Sequence, residues 1–355
     1  MPPETPVLSD FTPESAARYT ASDLSDPATL AAAKRDIAGL VKHMREHDIG
    51  APDYYGLMDL QPWLQRVFFI HVPKCGGTSI RKLLVHKNSC APVPLRGSGP
   101  IDQAIAYMAN SYLAKSPRGK LLRYYLSEDA ALDRRERFLH VYAGYQLTQD
   151  PQKMFILGHQ KAREMRRFYR PDSDLFFTTV RAPAEILKSM VAYRVSHTLK
   201  DEKRPDSKAL LKQLQMSFEE FTDRVQSQPQ SLSRTILEHD SPSLATFLSF
   251  NATRNHSTVI EGLRDNRVFI AHMSEQNQML SALFGEQAAI PHENTSQGRL
   301  GLAAEFTAAV QLDWVAPFVD AESSRVYQDL ESSGIIGYWQ EGGTAEGYLD
   351  LLKNL

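Results

Sequence analysis

Lys74, Gly76, Gly77, Thr78 and Ser79 are residues whose types and order could do chemistry, and that chemistry is the holding of an anion. They lie in RVFFIHVPKCGGTSIRKLL, residues 66–84, where a β-branched and aromatic run stops at Pro73 and apolar residues resume at helical spacing from Ile80. The pattern is strand, glycine turn, helix. Adjacent glycines let the backbone approach a ligand closely, and a helix that starts there turns its unpaired N–H groups towards it. A phosphate fits such a place. Lys74 adds a mobile positive charge, and the Thr78 and Ser79 hydroxyls can cap the helix or bind phosphate oxygens. The order is not that of the Walker A loop, which sets lysine directly before Ser or Thr; here lysine precedes the glycine pair.

Lysine before Gly-Gly-Thr-Ser at the end of a first strand resembles the 5′-phosphosulfate loop of the PAPS-dependent sulfotransferases, the carbohydrate type in particular, whose loop reads roughly PKTGGTS. Cys75 alone departs, where threonine is usual. A second stretch, FFTTVRAPAEILKSMVAYR, resembles the same family's RDPxxRxxSxY pattern. Arg181, Pro183 and Ser189 hold its positions, whereas Ala182 and Ile186 depart from the usual Asp and Arg. The resemblance implies that Lys74, Cys75, Gly76, Gly77, Thr78 and Ser79 hold the 5′-phosphate. It also implies that Arg181 and Ser189 converge on the 3′-phosphate, and that the fold is α/β, a P-loop-nucleotide-type three-layer arrangement with a central parallel sheet and helices on both faces. A guanidinium at a strand end and a hydroxyl two turns into the next helix can meet only if that helix folds back over the strand.

The family's general base often stands in a Gly-His pair ending the intervening strand, and MFILGH puts His159 there. A neutral imidazole suits the removal of a hydroxyl proton near neutral pH. Lys74 is the second catalytic candidate, through charge neutralisation. His71, within the first strand, is read as structural, while Glu164 and Glu185 are alternatives should the base be a carboxylate. Gly298-Arg299 resembles the late loop that closes over the 3′-phosphate and adenine, which makes Arg299 a further cofactor-binding candidate. Lys161, Arg163, Arg166, Arg167 and Arg170 form a cationic run, either a solvated surface or a rim that draws in an anionic ligand. The implied cofactor is PAPS, the product PAP, and no metal is required. Two other classes stay open: a P-loop kinase or nucleotide hydrolase, which needs lysine beside Ser or Thr and a magnesium-binding Asp, and a non-catalytic nucleotide-binding protein.

The elements that must position these residues are strands over 67–72, 154–159, 174–181 and 267–272, within a parallel sheet of about five strands, alternating with helices. A helix from Asp26 or Pro27 to about Met44 precedes them. Residues 1–60 read as a leader plus this helix, 61–335 as the main domain with helical insertions near 90–150 and 195–260, and 336–355 as a looser tail. Ala91-Pro92-Val93-Pro94 reads as a surface connection, and Pro205, Pro229 and Pro242 as breaks in the second insertion.

With 355 residues, 42% of them hydrophobic, the chain can bury a full core. Its net charge of -2 argues against a general binder of nucleic acid or anionic membrane. Two cysteines make no disulfide framework, and no stretch approaches the ~20 apolar residues of a membrane span. The amino-terminal stretch is acidic and lacks an apolar core, so the expectation is a soluble cytoplasmic protein acting on a hydroxyl-bearing acceptor, a carbohydrate or a small natural product.

Overall fold

The structure is a computed structural model that describes residues 26–46, 65–87, 91–94, 153–157, 161–166, 169, 174–285 and 301–355, with three isolated positions between 136 and 140. It is mostly helical, with short parallel strands joined through helices, and so belongs to the α/β class. Two compact units divide it, one from Met1–Phe69, Arg81–Gly158 and Arg170–Leu175, the other from Ile70–Ile80, His159–Tyr169 and Phe176–Leu355.

In the first unit, α1 (Pro27–Glu46) starts where Asp26 Oδ2 accepts from the Thr29 amide and hydroxyl, both at 2.8 Å. These bonds, the backbone one first, hold the Asp26 carboxyl below its ordinary pKa. Ala33, Ile37, Leu40 and Val41 form its buried stripe at helical spacing. The strands are β1 (Gln65–Ile70), followed by α2 (Gly77–Lys87), β2 (Ala91–Pro94) and β3 (Lys153–Leu157). β3 pairs in parallel with β1, from Gln65↔Lys153 to Phe68↔Ile156, and with β2, from Ala91↔Met154 to Pro94↔Leu157. The order is therefore β2-β3-β1. Ala91–Pro94 is thus a strand and not the expected surface connection. Its two prolines alternate, so both missing N–H groups fall on one side and the other side remains able to pair, which suits an edge strand. Arg66 closes the base of β1 with two bonds to the buried Asp174 carboxylate, Nε–Oδ1 at 2.9 Å and Nη2–Oδ2 at 2.6 Å.

The second unit carries α3 (Ala162–Arg166), β4 (Leu175–Val180), α4 (Pro183–Lys200), α5 (Pro205–Leu214), α6 (Phe218–Ser227) and α7 (Pro229–His239). It continues with α8 (Leu244–Leu248), α9 (His256–Asp265), β5 (Phe269–His272) and α10 (Gln276–Phe284). Then come α11 (Leu302–Ala309), α12 (Leu312–Val315), α13 (Ala321–Ser332) and α14 (Ala345–Leu352). β4 and β5 pair in parallel from Phe177↔Phe269 to Val180↔His272. Pro183, Pro205 and Pro229 each sit in a first helical turn, so Pro205 and Pro229 open helices and do not break them. Leu187, Val191 and Val195 of α4 pack with Leu210 of α5, Phe221 of α6 and Ile236 of α7. Each such side chain, fully buried, stabilises the fold by about 1.5–3 kcal/mol. α4 is thereby fixed, along with whatever its other face carries.

The stretch after α13 is tightly packed, contrary to the looser tail expected there. Trp339 and Tyr348 are buried, and both reach β5: Trp339 Nε1 donates to the Ile270 carbonyl at 2.8 Å, while the Tyr348 hydroxyl accepts from the Ile270 amide at 2.9 Å and donates to the Val268 carbonyl at 3.2 Å. Burial raises the Tyr348 pKa well above its ordinary value. Among the described residues no helix is long and apolar enough to cross a membrane.

Candidate active site

β1 ends at Ile70, short of Pro73, because the Val72 amide turns back to the Ile70 carbonyl at 3.0 Å. The Cys75 amide then bonds to the Val72 carbonyl at 3.3 Å, and the Ser79 and Ile80 amides bond to the Gly76 carbonyl at 3.0 and 3.2 Å as α2 begins. Two residues take left-handed backbone, Lys74 at φ 67° and Gly76 at φ 81°. For lysine that conformation costs roughly 1–2 kcal/mol and persists only where the surroundings enforce it. β4 supplies the enforcement: Thr178 Oγ1 donates to the Ile70 carbonyl at 2.8 Å, and Thr179 Oγ1 donates to the Cys75 carbonyl. One strand thus holds the start and the middle of the turn.

The twin glycines have a packing reason. A Cβ on Gly76 would lie 2.5 Å from Gln276 Oε1, and a Cβ on Gly77 would fall inside the His71 imidazole. Both spaces are already taken by side chains. The His71 ring packs directly against the first residue of α2.

Cys75 is wholly buried, and burial pushes its thiol up to about 12 against the opposing pull of Arg181 and Lys74. With its thiol inside and its N–H and C=O both bonded to protein, Cys75 shapes the turn and offers a ligand nothing. Ser79 is nearly buried, while Lys74, Gly76 and Thr78 are half-buried. As the first residues of α2, Gly77 and Thr78 have amides without a carbonyl in their own helix to bond.

The second motif lies against this turn. Arg181 leaves the end of β4, and Pro183 opens α4 without a side-chain cap. Arg181, Glu185, Ser189 and Tyr193 follow one another at i, i+4 spacing, so adjacent members are neighbours on one side of α4. Lys74 Nζ lies 3.9 Å from the centre of the Tyr193 ring, a cation–π contact that ties the turn to the third turn of α4. Arg181 is close enough to act on the Cys75 thiol, which places the two motifs at one locus. The expected convergence of Arg181 with Ser189 is intercepted, however: Arg181 Nε donates to Glu185 Oε2 at 2.7 Å, and the half-buried Ser189 stands a turn further on.

Of the other candidates, His159, Arg299, Arg167 and Arg170 lie outside the described residues. Glu164, an alternative base, caps its own turn by accepting from the Lys161 amide at 3.0 Å. Of the cationic run's described members, Arg163 and Arg166 lie on α3, and Arg166 Nη1 donates to Asn251 Oδ1 at 3.2 Å. Sequence reasoning missed Thr178, Thr179, Tyr193 and Gln276. No local pattern marks the threonines or Gln276, but Tyr193 was legible as the next member of the Arg181–Ser189 spacing. Gln276 opens α10 directly after Glu275, which is 1% exposed and accepts from the Gly337 amide at 2.9 Å. Burial raises the Glu275 carboxyl above its ordinary pKa, against the pull of the Gly337 and Trp339 amides and of His272.

No family model, curated protein or solved structure matches this chain.

Proposed function

We propose that this chain is a sulfotransferase of P-loop-nucleotide, three-layer type, moving a sulfuryl group from PAPS to a hydroxyl of a carbohydrate or small natural product in the cytoplasm. One observation carries the reading: two motifs about a hundred residues apart in sequence, each separately resembling the family, meet at Lys74–Tyr193 and Thr179–Cys75. Parallel strands joined by helices, with both motifs beyond the strands' carboxyl ends, support the three-layer arrangement.

In the transfer the acceptor oxygen bonds to sulfur while the bond from sulfur to the 5′-phosphate oxygen breaks, so negative charge builds on that phosphate. Lys74 neutralises it, and the N–H groups of residues 76–78 with the Thr78 and Ser79 hydroxyls hold it. Arg181, Ser189 and Arg299 take the 3′-phosphate, which must compete with Glu185 for the guanidinium. The acceptor's proton passes to an imidazole, a step worth ~10²–10⁴ in rate. His159 holds that role by resemblance, and His71 by its position against Gly77.

The test is a melting curve with PAP, followed by labelled PAPS offered to a library of acceptors with mass measurement of the product. PAP should raise the melting temperature, and transfer should appear in the wild type and vanish in Lys74→Ala. Of His159→Ala and His71→Ala, the base is the one whose loss spares PAP binding and abolishes transfer. ATP binding without a response to PAP would turn the reading to a kinase or hydrolase. Tight PAP binding with no transfer to any acceptor would leave a non-catalytic nucleotide-binding protein.

A further inference from the structure

Gln276 is 6% exposed, and among the described residues its Oε1 is a buried polar atom with no hydrogen-bond partner. That oxygen faces the glycine turn, 2.5 Å from where a Gly76 Cβ would stand, and Met273 Cγ lies behind the same point at 3.5 Å. Buried amides are almost always bonded, and one left open among the described residues beside an eleven-residue helix's N-terminus calls for a partner. The backbone around it is already committed: the Gly76 carbonyl to Ser79 and Ile80, the Cys75 carbonyl to Thr179.

We propose that the Gln276 carboxamide is a binding group for an oxyanion, a phosphate or sulfate ester, seated on Gly76–Ser79. This rests on the reading of that turn as an anion loop and adds a third segment of chain to it, the corner between β5 and α10. A carboxamide offers both hydrogen-bonding senses at one end, and its terminal torsion is broad. As it stands the oxygen faces the turn unbonded; a half-turn brings the NH2 to the same point, where it donates to an anion. The corner itself is held by Glu275, whose Oε1 accepts from Gly337, so the Gln276 side chain needs no bond of its own to stay in place.

The experiment measures binding of PAP and of inorganic pyrophosphate by calorimetry to the wild type, Q276M and Q276E, with the melting temperature of each without ligand. Q276M keeps the shape and removes the open polar atom, so it should melt no lower than the wild type yet bind PAP about ten- to a hundredfold more weakly, the loss of one hydrogen bond to a charged group. Q276E, which sets a carboxylate beside the anion, should bind more weakly still, and it carries the test should Q276M fail to fold. Equal PAP affinity in wild type and variants overturns this inference and leaves the sulfuryl-transfer reading standing, as does a Q276M that melts lower and binds normally. A wild type that ignores PAP but binds pyrophosphate through Gln276 overturns that reading and keeps this inference. Binding of neither probe overturns both.

Discussion

In the turn from Ile70 to Ile80, protein groups occupy nearly every direction: Thr178 and Thr179 hold two carbonyls, His71 and Gln276 fill both glycine spaces, and Lys74 rests on Tyr193. Along the neighbouring face of α4 the helix is fixed by Leu187, Val191 and Val195 on the opposite side, and at its far end Tyr193 meets Lys74. The outward groups there are partly exposed, with Arg181 at 28% and Glu185 at 38%. The first region is shaped by protein groups alone, whereas in the second an anion bound at Arg181 would have to displace the Glu185 carboxylate. Preorganisation and exchange are different ways of binding a charge, and a single bisphosphorylated nucleotide would meet both.

The sharpest way to break this contrast is Gly77→Ala. With His71 in the space that the new methyl needs, the variant should lose roughly 2–3 kcal/mol of stability by overpacking in a denaturant titration. Most of the loss should return in the double variant with His71→Ala. If Gly77→Ala alone is neutral, the turn is not the close-packed region described. Next in size, Arg181→Ala should weaken PAP binding about ten- to a hundredfold in calorimetry, as expected for a hydrogen bond between charged partners. Glu185→Gln, by contrast, should strengthen binding a few-fold by removing the resident competitor of an exposed ion pair worth ~0–1 kcal/mol. Weaker binding in Glu185→Gln would mean that the carboxylate orients Arg181 and does not compete for it.

The smallest effect is one of pH. Glu275 has a folded-state pKa raised above its ordinary 4.5, so the folded chain binds that proton more tightly than the unfolded one. The stability linked to it is present below 4.5 and is lost as pH rises through the folded value. Glu275→Gln, which keeps an oxygen for the Gly337 amide, should therefore be more stable than the wild type at neutral pH, with the difference closing towards pH 4 in a series of melting curves.

The strand-turn-helix around Lys74 and the helix opened by Pro183 were legible because their signals are local: a β-branched run, a glycine pair, a proline in a first turn. What completes the site was not. The Thr179–Cys75 bond joins residues 104 apart, and nothing in the neighbourhood of Thr179 or Gln276 records the partner that folding delivers. The Arg181–Glu185 pair is the opposite case, an i, i+4 contact present in the sequence but outweighed there by a motif that paired Arg181 with Ser189. Ala91–Pro94 misled because two prolines in four residues suggest a turn, and only their alternation reveals an edge strand.

A phenol and an indole finish β5. Ile270 presents its N–H and C=O on the side away from β4, where another strand would normally dock, and the Tyr348 hydroxyl and Trp339 indole answer both. The sheet is thereby sealed against invasion by a foreign β-segment without resort to lysines or prolines on the strand itself. The seal is made by residues that leave the ribosome some seventy positions after the strand they cover, so a nascent chain carries β5 unguarded until they emerge.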